Sequence, residues 1–434
     1  MTNADTSGAV ARPLDQSSTP SRGGLSGRAI VLGITGSIAC YKAADLASKL
    51  TQAGARVDTV MTAAATQFIT PLALRSVTGR PVYVNMYDAE TDVAEAHVAL
   101  ARRADAVVIA PASATTLARI AHGLAEEMVS LTVLATRAPV LLAPAMDNQM
   151  WSNAATAANV ATLRARGIAF VGPASGRLAS GHSGEGRLEE TSAILGALRQ
   201  LLGRAGDLAG VRVVVSAGGT QEPLDPVRFI SNHSSGKMGY ALAEAARDRG
   251  ATVTLIATPG TVALELPYGV RRVPVTRTVE MRDAVLAACD EADILIMAAA
   301  PADFTPLTSA AHKIKKSGDA PLELHLTPTP DILQAVFQTG LPVVRVGFAA
   351  ETRDLLTYAR EKVTRKGLDL IVANDVSATD AGFGVDTNRV TLLDREGVAE
   401  EWPLMSKLEV AHGILDRALQ VLRGRAPDRA AAPR

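Results

Sequence analysis

Cysteine is nearly missing from this chain, whose 434 residues hold only Cys40 and Cys289. The two stand far apart and match no metal spacing, so neither a disulfide framework nor a zinc site is expected, and a reducing cytoplasm fits. Net charge is missing too. The 44 basic residues are balanced by 44 acidic ones, which removes the electrostatic footprint of a nucleic-acid or anionic-membrane binder. No apolar run approaches the roughly 18–20 residues needed to span a bilayer. The opening stretch Met1–Gly27, rich in Ser, Thr, Gly, Pro and Ala, lacks the apolar core of a secretory signal and is expected to be a disordered tail. Small-molecule partners are favoured.

What the chain does have is length and a repeated apolar pattern. It is large enough for two or three domains, each with its own core. From Ala29 it reads as an apolar strand to Gly33, a Gly/Ser turn, a helix to Leu50 and a second strand over Arg56 to Met61. Apolar runs return at Ala106 to Ala110 and Val140 to Ala143, with helical patterns between them. The pattern restarts at Val211 to Val215, followed by a helix over Met238 to Arg249. Further strands are predicted at Thr252 to Ala257, Ile294 to Met297, Val343 to Gly347 and Leu370 to Ala373. Continuous apolar strands alternating with helices predict α/β architecture, here two Rossmann-like doubly wound parallel-sheet domains over 28–195 and 211–423. The linker is placed at 196–210, because glycine and charge interrupt the apolar pattern from Gly203 onward. The Ala/Pro/Arg-rich residues 424–434 are expected to fray.

Loops carry the chemistry. Gly33-Ile34-Thr35-Gly36-Ser37-Ile38-Ala39 lies where the first strand yields to the first helix, so small residues and free N–H groups there suit an anion. Ala110-Pro111-Ala112-Ser113-Ala114-Thr115-Thr116 is a second hydroxyl-rich loop at a helix start, and two such loops in one sheet suggest a nucleotide or flavin crevice. Plainer alternatives are a tight turn in the first loop and helix capping by Ser113 in the second. His97, read alone, suits a structural role as well as a chemical one. Pro144-Ala145-Met146-Asp147-Asn148-Gln149-Met150-Trp151 suits either a lid over a flat aromatic group or core packing. In the second half, Gly218 to Gly239 combines glycines, hydroxyls, an amide and charge between a strand and a helix. It is too long and polar for a plain connection.

These motifs in the first half, with Tyr41-Lys42, resemble the homo-oligomeric flavin-containing cysteine decarboxylases over about residues 28–190. The resemblance implies FMN, held by Gly36, Ser37, Ile38, Thr62, Ala110, Pro111, Ser113, Thr116 and Met146, with His97 as catalytic base. Two departures stand out. Asp147 replaces the family's usual lid Asn, and Ser180 in Ala179-Ser180-Gly181 replaces its Cys. An ionised Asp147 repels a substrate carboxylate, so it is expected to be protonated, turned away or replaced in function by Asn148. A serine hydroxyl is a far weaker acid than the thiol. Ser180 is therefore expected to position the intermediate while His182 or a water supplies the proton.

The second half resembles the phosphopantothenate–cysteine ligase domain over about 210–420. The resemblance rests on the Gly218–Gly239 loop, Ala298 to Phe304, Lys313-Ile314-Lys315-Lys316, Thr329-Pro330-Asp331-Ile332, Gly347 to Thr352 and Ala373-Asn374-Asp375. Together the halves have the order of the bifunctional coenzyme A biosynthesis family. Joining a carboxylate to an amine requires activation, which a nucleoside triphosphate supplies through an acyl-nucleotide. The resemblance implies CTP, 4′-phosphopantothenate and cysteine as substrates. It also implies CTP contacts at Met297, Ala298, Ala299, Asp303, Lys313, Thr329, Pro330, Asp331, Ile332, Phe348, Lys362 and Lys366. Asn232 would orient the acyl intermediate and Lys313 would neutralise phosphate charge. Read alone, Lys313, Lys315 and Lys316 also suit a solvated basic turn. Thr329 stands where the family often has Asn. Magnesium is expected with a triphosphate, yet no carboxylate cluster marks its ligands. The family also implies trimer-based contacts and a dodecamer. Two alternatives stay open: an active ligase with a flavin-binding scaffold in front, and a tandem dinucleotide-dependent dehydrogenase.

Overall fold

The computed structural model describes residues 24–86, 96–316, 321–351, 355–375 and 384–425. Most of both expected tails lies outside them, as does Thr352 at the end of the Gly347–Thr352 segment above. The first tail ends earlier than expected. Leu25 is 2% exposed in the core, and the Gly27 N–H bonds to the Gly54 carbonyl at 2.8 Å.

The first domain alternates strand and helix: β1 (Ala29–Ile34), α1 (Tyr41–Gln52), β2 (Arg56–Met61), α2 (Pro71–Thr78), β3 (Val82–Tyr83) and α3 (Ala96–Arg103). It continues through β4 (Ala106–Ala112), α4 (Ala114–His122), α5 (Met128–Ala135), β5 (Val140–Pro144), α6 (Asn148–Ser152), α7 (Ala154–Ala165) and β6 (Ala169–Phe170). The six strands form one parallel sheet, ordered β3-β2-β1-β4-β5-β6. Every residue of β1, β4 and β5 is buried, because helices cover both faces; hence the continuous apolar runs in the sequence. Strand order reverses between β1 and β4, and the loops leaving their C-terminal ends diverge there into a crevice. A hairpin, β7 (Ala174–Arg177) and β8 (Ser183–Arg187), then leads into α8 (Thr191–Gly203).

That last helix corrects the expected linker. Ile194, Ala197, Leu198 and Leu201 are buried in the first core, spaced as one helical face. The linker therefore begins after Gly203, not at 196.

The second domain repeats the plan. It runs β9 (Arg212–Ala217), a hairpin of β10 (Gln221–Pro223) and β11 (Phe229–Ser231), α9 (Lys237–Asp248), β12 (Thr252–Ala257), β13 (Arg271–Pro274), α10 (Thr278–Cys289) and β14 (Ile294–Met297). A second hairpin, β15 (Phe304–Pro306) and β16 (Leu326–Pro328), precedes α11 (Ile332–Gln338), β17 (Val344–Glu351), α12 (Leu355–Lys366) and β18 (Leu370–Asp375). The chain closes with β19 (Thr387–Asn388), β20 (Val390–Asp394), β21 (Ala399–Glu401) and α13 (Lys407–Gly424). The main sheet is ordered β13-β12-β9-β14-β17-β18-β20-β21. It differs from a purely parallel sheet at one edge, since β20 runs antiparallel to β18 and β21 antiparallel to β20. The β20–β21 pairing follows from a tight turn in which Asp394 accepts from Glu396 and Val398 N–H at 3.0 and 2.9 Å. So short a connection permits only antiparallel pairing. The order reverses between β9 and β14, which places a second crevice beside Gly218.

Candidate active site

In the first domain a buried threonine sets the crevice. Thr35 donates to the Pro111 carbonyl at 2.8 Å and accepts from Ser113 N–H at 2.9 Å, tying the loop after β1 to the loop after β4. Ser37 accepts from Ala39 N–H at 3.3 Å. Ser113 accepts from Thr116 N–H at 3.3 Å and pairs with the Thr116 hydroxyl at 3.1 Å. Both serines therefore cap helical turns, and the same caps put their loops at helix starts. At Gly36 a Cβ would lie 2.7 Å from that of Ala64, so only glycine lets the turn close.

The hairpin β7–β8 lies against the segment after β5. Met146 N–H bonds to the Gly186 carbonyl at 2.9 Å. A Cβ at Gly184 would sit 2.8 Å from Asn148 Cγ. At the hairpin tip, Ser180 Oγ donates to Asp147 Oδ2 at 2.7 Å, while Gln149 N–H donates to Oδ1 at 3.0 Å. The Ser180 hydroxyl, then the Gln149 amide, hold the Asp147 carboxyl below its ordinary range. Of the three expectations for Asp147, protonation is thus disfavoured. The two departures from the family pattern touch each other.

These loops enclose a cavity of about 600 Å³. Gly36, Ser37, Ile38, Ser113, Met146, Asp147 and Ser180 line it. Ala110, Pro111 and Thr116 are buried behind it, and Thr62 caps its own turn by accepting from Ala65 N–H at 3.2 Å. His97 lies half-buried on α3 and does not line the cavity of its own chain. Sequence reasoning missed Arg177 and Arg187, which come from the hairpin. It also gave no role to Lys42, which pairs with Glu190 at 3.2 Å. The lining fits a flavin: helix starts and hydroxyls offer donors for a phosphate, and Ile38, Met146 and Met150 offer apolar faces for a ring.

In the second domain a cavity of about 410 Å³ opens at the C-terminal ends of β9, β14, β17 and β18. Ser216 accepts from Ala299 N–H at 3.1 Å and Thr220 from Ala302 N–H at 2.8 Å. Asn232 Nδ2 donates to the Pro301 carbonyl at 2.9 Å, so its Oδ1 is the end left for a ligand. Met297, Ala298, Ala299, Asp303, Phe348 and Lys362 line this cavity with Asn232. So do Thr329, Pro330, Asp331, Ile332 and Lys366. Thr329 is partly engaged, donating to the Ala302 carbonyl at 2.6 Å. Asp331 caps α11 and pairs with Lys366 at 3.0 Å.

Lys313 is the exception. It is exposed on residues 311–316 and does not line the cavity. Sequence reasoning also missed three cavity residues. Lys237, inside the quoted loop, pairs with Asp386 at 2.8 Å. Asn388 is 1% exposed and Lys407 is 7% exposed; burial lowers the Lys407 pKa. No local motif announces Lys407, which arrives from α13. Among the described residues no group of three His, Cys, Asp or Glu is placed to hold a metal.

Fold and cavities define the class: a two-domain α/β protein with a crevice at the strand-order reversal of each sheet, the first of them lined to suit a flavin. Known proteins agree. A flavoprotein family model matches residues 18–203, and the model for the C-terminal domain of DNA/pantothenate metabolism flavoproteins matches 208–422. The coenzyme A biosynthesis bifunctional protein CoaBC of Bacillus subtilis is 44% identical over 394 residues, covering 90% of this chain and 96% of that one. Its Escherichia coli namesake is 45% identical over 378 residues, covering 86% and 92%. A crystal structure of the C-terminal domain of a CoaBC protein, 36% identical, covers 51% of this chain and 99% of that one at a TM-score of 0.43. The chain belongs to the coenzyme A biosynthesis bifunctional proteins, which are phosphopantothenate–cysteine ligase and phosphopantothenoylcysteine decarboxylase in one polypeptide. The dehydrogenase alternative falls with that membership.

Proposed function

We propose that the second domain uses CTP to join cysteine to 4′-phosphopantothenate through an acyl-cytidylate. The first domain, with FMN bound, then decarboxylates 4′-phosphopantothenoylcysteine to 4′-phosphopantetheine. One observation carries the ligase reading: eleven of the twelve residues assigned to the nucleotide converge on one cavity from four separate stretches of chain. In this reading Asp303, exposed at the cavity rim, binds the base or sugar, and Lys362 meets phosphate. Asn232, braced by Pro301, presents its amide oxygen to the acyl intermediate. Lys313 reaches developing phosphate charge from the adjoining segment. No resident magnesium site is assigned, and Mg²⁺ enters with the triphosphate oxygens.

Bound flavin would take up and return the electrons of the decarboxylation. The chain's own residues do the rest. Because the Ser180 proton points at Asp147, Ser180 orients the intermediate through its lone pairs, and His182, exposed beside the tip, or a water delivers the proton. His97 is the base, and its access to substrate then depends on assembly. A trimer-based homo-oligomer, in the family manner a dodecamer, agrees with the exposed apolar Ile38, Tyr41, Phe229, Phe304 and Leu307. We place the enzyme in the cytoplasm. Its two cysteines are free and buried, and among the described residues no helix is long and apolar enough to cross a membrane.

The test is a coupled assay with CTP, cysteine and phosphopantothenate that resolves pyrophosphate, CMP, carbon dioxide and the final thiol. All four are expected. Absence of pyrophosphate sinks the ligase reading. Pyrophosphate without carbon dioxide, despite bound flavin, returns the first domain to a scaffold.

A further inference from the structure

We infer that Asp225 is a positioning residue of the ligase reaction: it fixes the Lys313-bearing segment against the loop that carries Asn232. The inference rests on the proposed role of Lys313. Asp225 sits in the turn of the β10–β11 hairpin, its side chain 0% exposed. It accepts from Val227 N–H at 2.8 Å, Arg228 N–H at 2.9 Å, Arg228 Nε and Nη2 at 3.0 and 2.6 Å, and Ile314 N–H at 3.1 Å. The same Arg228 Nη2 donates onward to the Ile314 carbonyl at 2.7 Å. A carboxylate and its guanidinium partner thus grip both polar groups of the residue next to Lys313.

The hairpin is itself immobilised. Glu222, 1% exposed, accepts from Thr278 N–H at 2.7 Å and the Thr305 hydroxyl at 2.9 Å. Asn232 follows β11 directly. Residues 311–316 have no comparable support: among the described residues their only hydrogen bonds are the two made by Ile314, and all but Ile314 are exposed. Enclosing a carboxylate is costly unless its partners repay the lost water. Here four donors from the turn itself hold the carboxylate in place, and the fifth, Ile314 N–H, ties down a stretch that buries almost nothing. What the clamp does settle is where Lys313 begins its reach, since a lysine stem sweeps a wide arc from an unfixed backbone. Preorganised charge is effective only when its position is set before reaction.

The test compares Asp225→Asn, Lys313→Gln and the double variant in the full-length enzyme. It reads CTP- and phosphopantothenate-dependent pyrophosphate release, and hydrogen exchange of the peptide covering 311–316. Asp225→Asn is expected to speed exchange there and to slow pyrophosphate release by about 10²-fold. The double variant should be no slower than Lys313→Gln alone. Unchanged pyrophosphate release in Asp225→Asn, or an effect that multiplies with Lys313→Gln, overturns the inference. Full activity in Lys313→Gln overturns it too, but by removing the Lys313 assignment, an outcome distinct from an active Asp225→Asn beside a slow Lys313→Gln. If Asp225→Asn fails to fold, the wild-type enzyme still decides. Exchange of the 311–316 peptide at the rate of a free chain means that no clamp exists.

Discussion

Asp147 and Asp225 are chemically alike, and both are held below the ordinary carboxylate range by hydrogen bonds. Their settings differ. Asp147 is half-exposed at the rim of the decarboxylase cavity, held by one hydroxyl from a hairpin tip and one amide. Asp225 is enclosed and takes five donors from its own turn and from Ile314. A carboxylate with few, exposed partners can exchange them for a ligand, whereas one with five enclosed donors cannot. On the proposed function, the first therefore belongs to recognition and the second to architecture. The same contrast separates the two sites. The flavin crevice is closed by a hairpin latched through a single polar contact at its tip. The crevice of the second domain is braced by buried Ser216, Thr220 and Glu222.

The largest expected effect tests the braced site. Asn232→Ala removes the one amide whose nitrogen is already committed to Pro301. Acyl transfer to cysteine should fall by about 10²–10³-fold, while carbon dioxide release from supplied phosphopantothenoylcysteine stays at the wild-type rate. A loss shared by both reactions would mean that the domains are coupled, and the comparison of independent sites would fail.

Next is the latched site. His182→Ala should leave carbon dioxide release intact and slow formation of the saturated thiol by about 10²-fold. Separating the two products by chromatography measures this. Equal rates would assign the proton to water and leave His182 as a flap residue.

Much of this contrast was legible before the structure. The buried strands announced themselves because burial on both faces leaves no polar alternation, and the crevice loops because their small and hydroxylated residues are contiguous. Two features were not legible. The Asp147–Ser180 contact joins residues 33 apart in sequence, each visible only as a separate oddity. Lys407 reaches the second cavity from the first turn of α13, where the local signal, the Ser406–Glu409 capping box, marks a helix start and says nothing of a ligand. The antiparallel edge is legible, since Asp394-Arg395-Glu396-Gly397 is a turn signal between two short strands. Likewise α8 carried its helical spacing in plain view, and the glycines after it drew the boundary too early.

A smaller effect sharpens the recognition side. Asp147→Asn restores the family's amide and removes one negative charge near the substrate carboxylate. The KM for phosphopantothenoylcysteine should fall by about fivefold at low salt, the size expected for one like-charge contact in water. The gain should shrink at high ionic strength. A raised KM would show instead that the ionised carboxylate binds part of the substrate.

The smallest effect is on stability, and its sign follows from the depressed carboxyls. A group whose folded pKa lies below its unfolded value stabilises the fold above the unfolded value, about 3.9 for Asp. That contribution is lost as pH falls through the folded value. For Asp225, enclosed and charge-paired, the thermal midpoints of wild type and Asp225→Asn should therefore be separated at neutral pH. They should begin to converge as pH falls below about 4, where the carboxyl of the unfolded chain protonates, and meet only once pH has passed through the lower folded value. For Asp147, whose partners compete with water, wild type and Asp147→Asn should share one midpoint at every pH, because solvent-facing contacts of this kind add little to folding. Melting curves of the three proteins across that range measure both. A midpoint difference for Asp147→Asn as large as that for Asp225→Asn would erase the distinction between the two carboxylates.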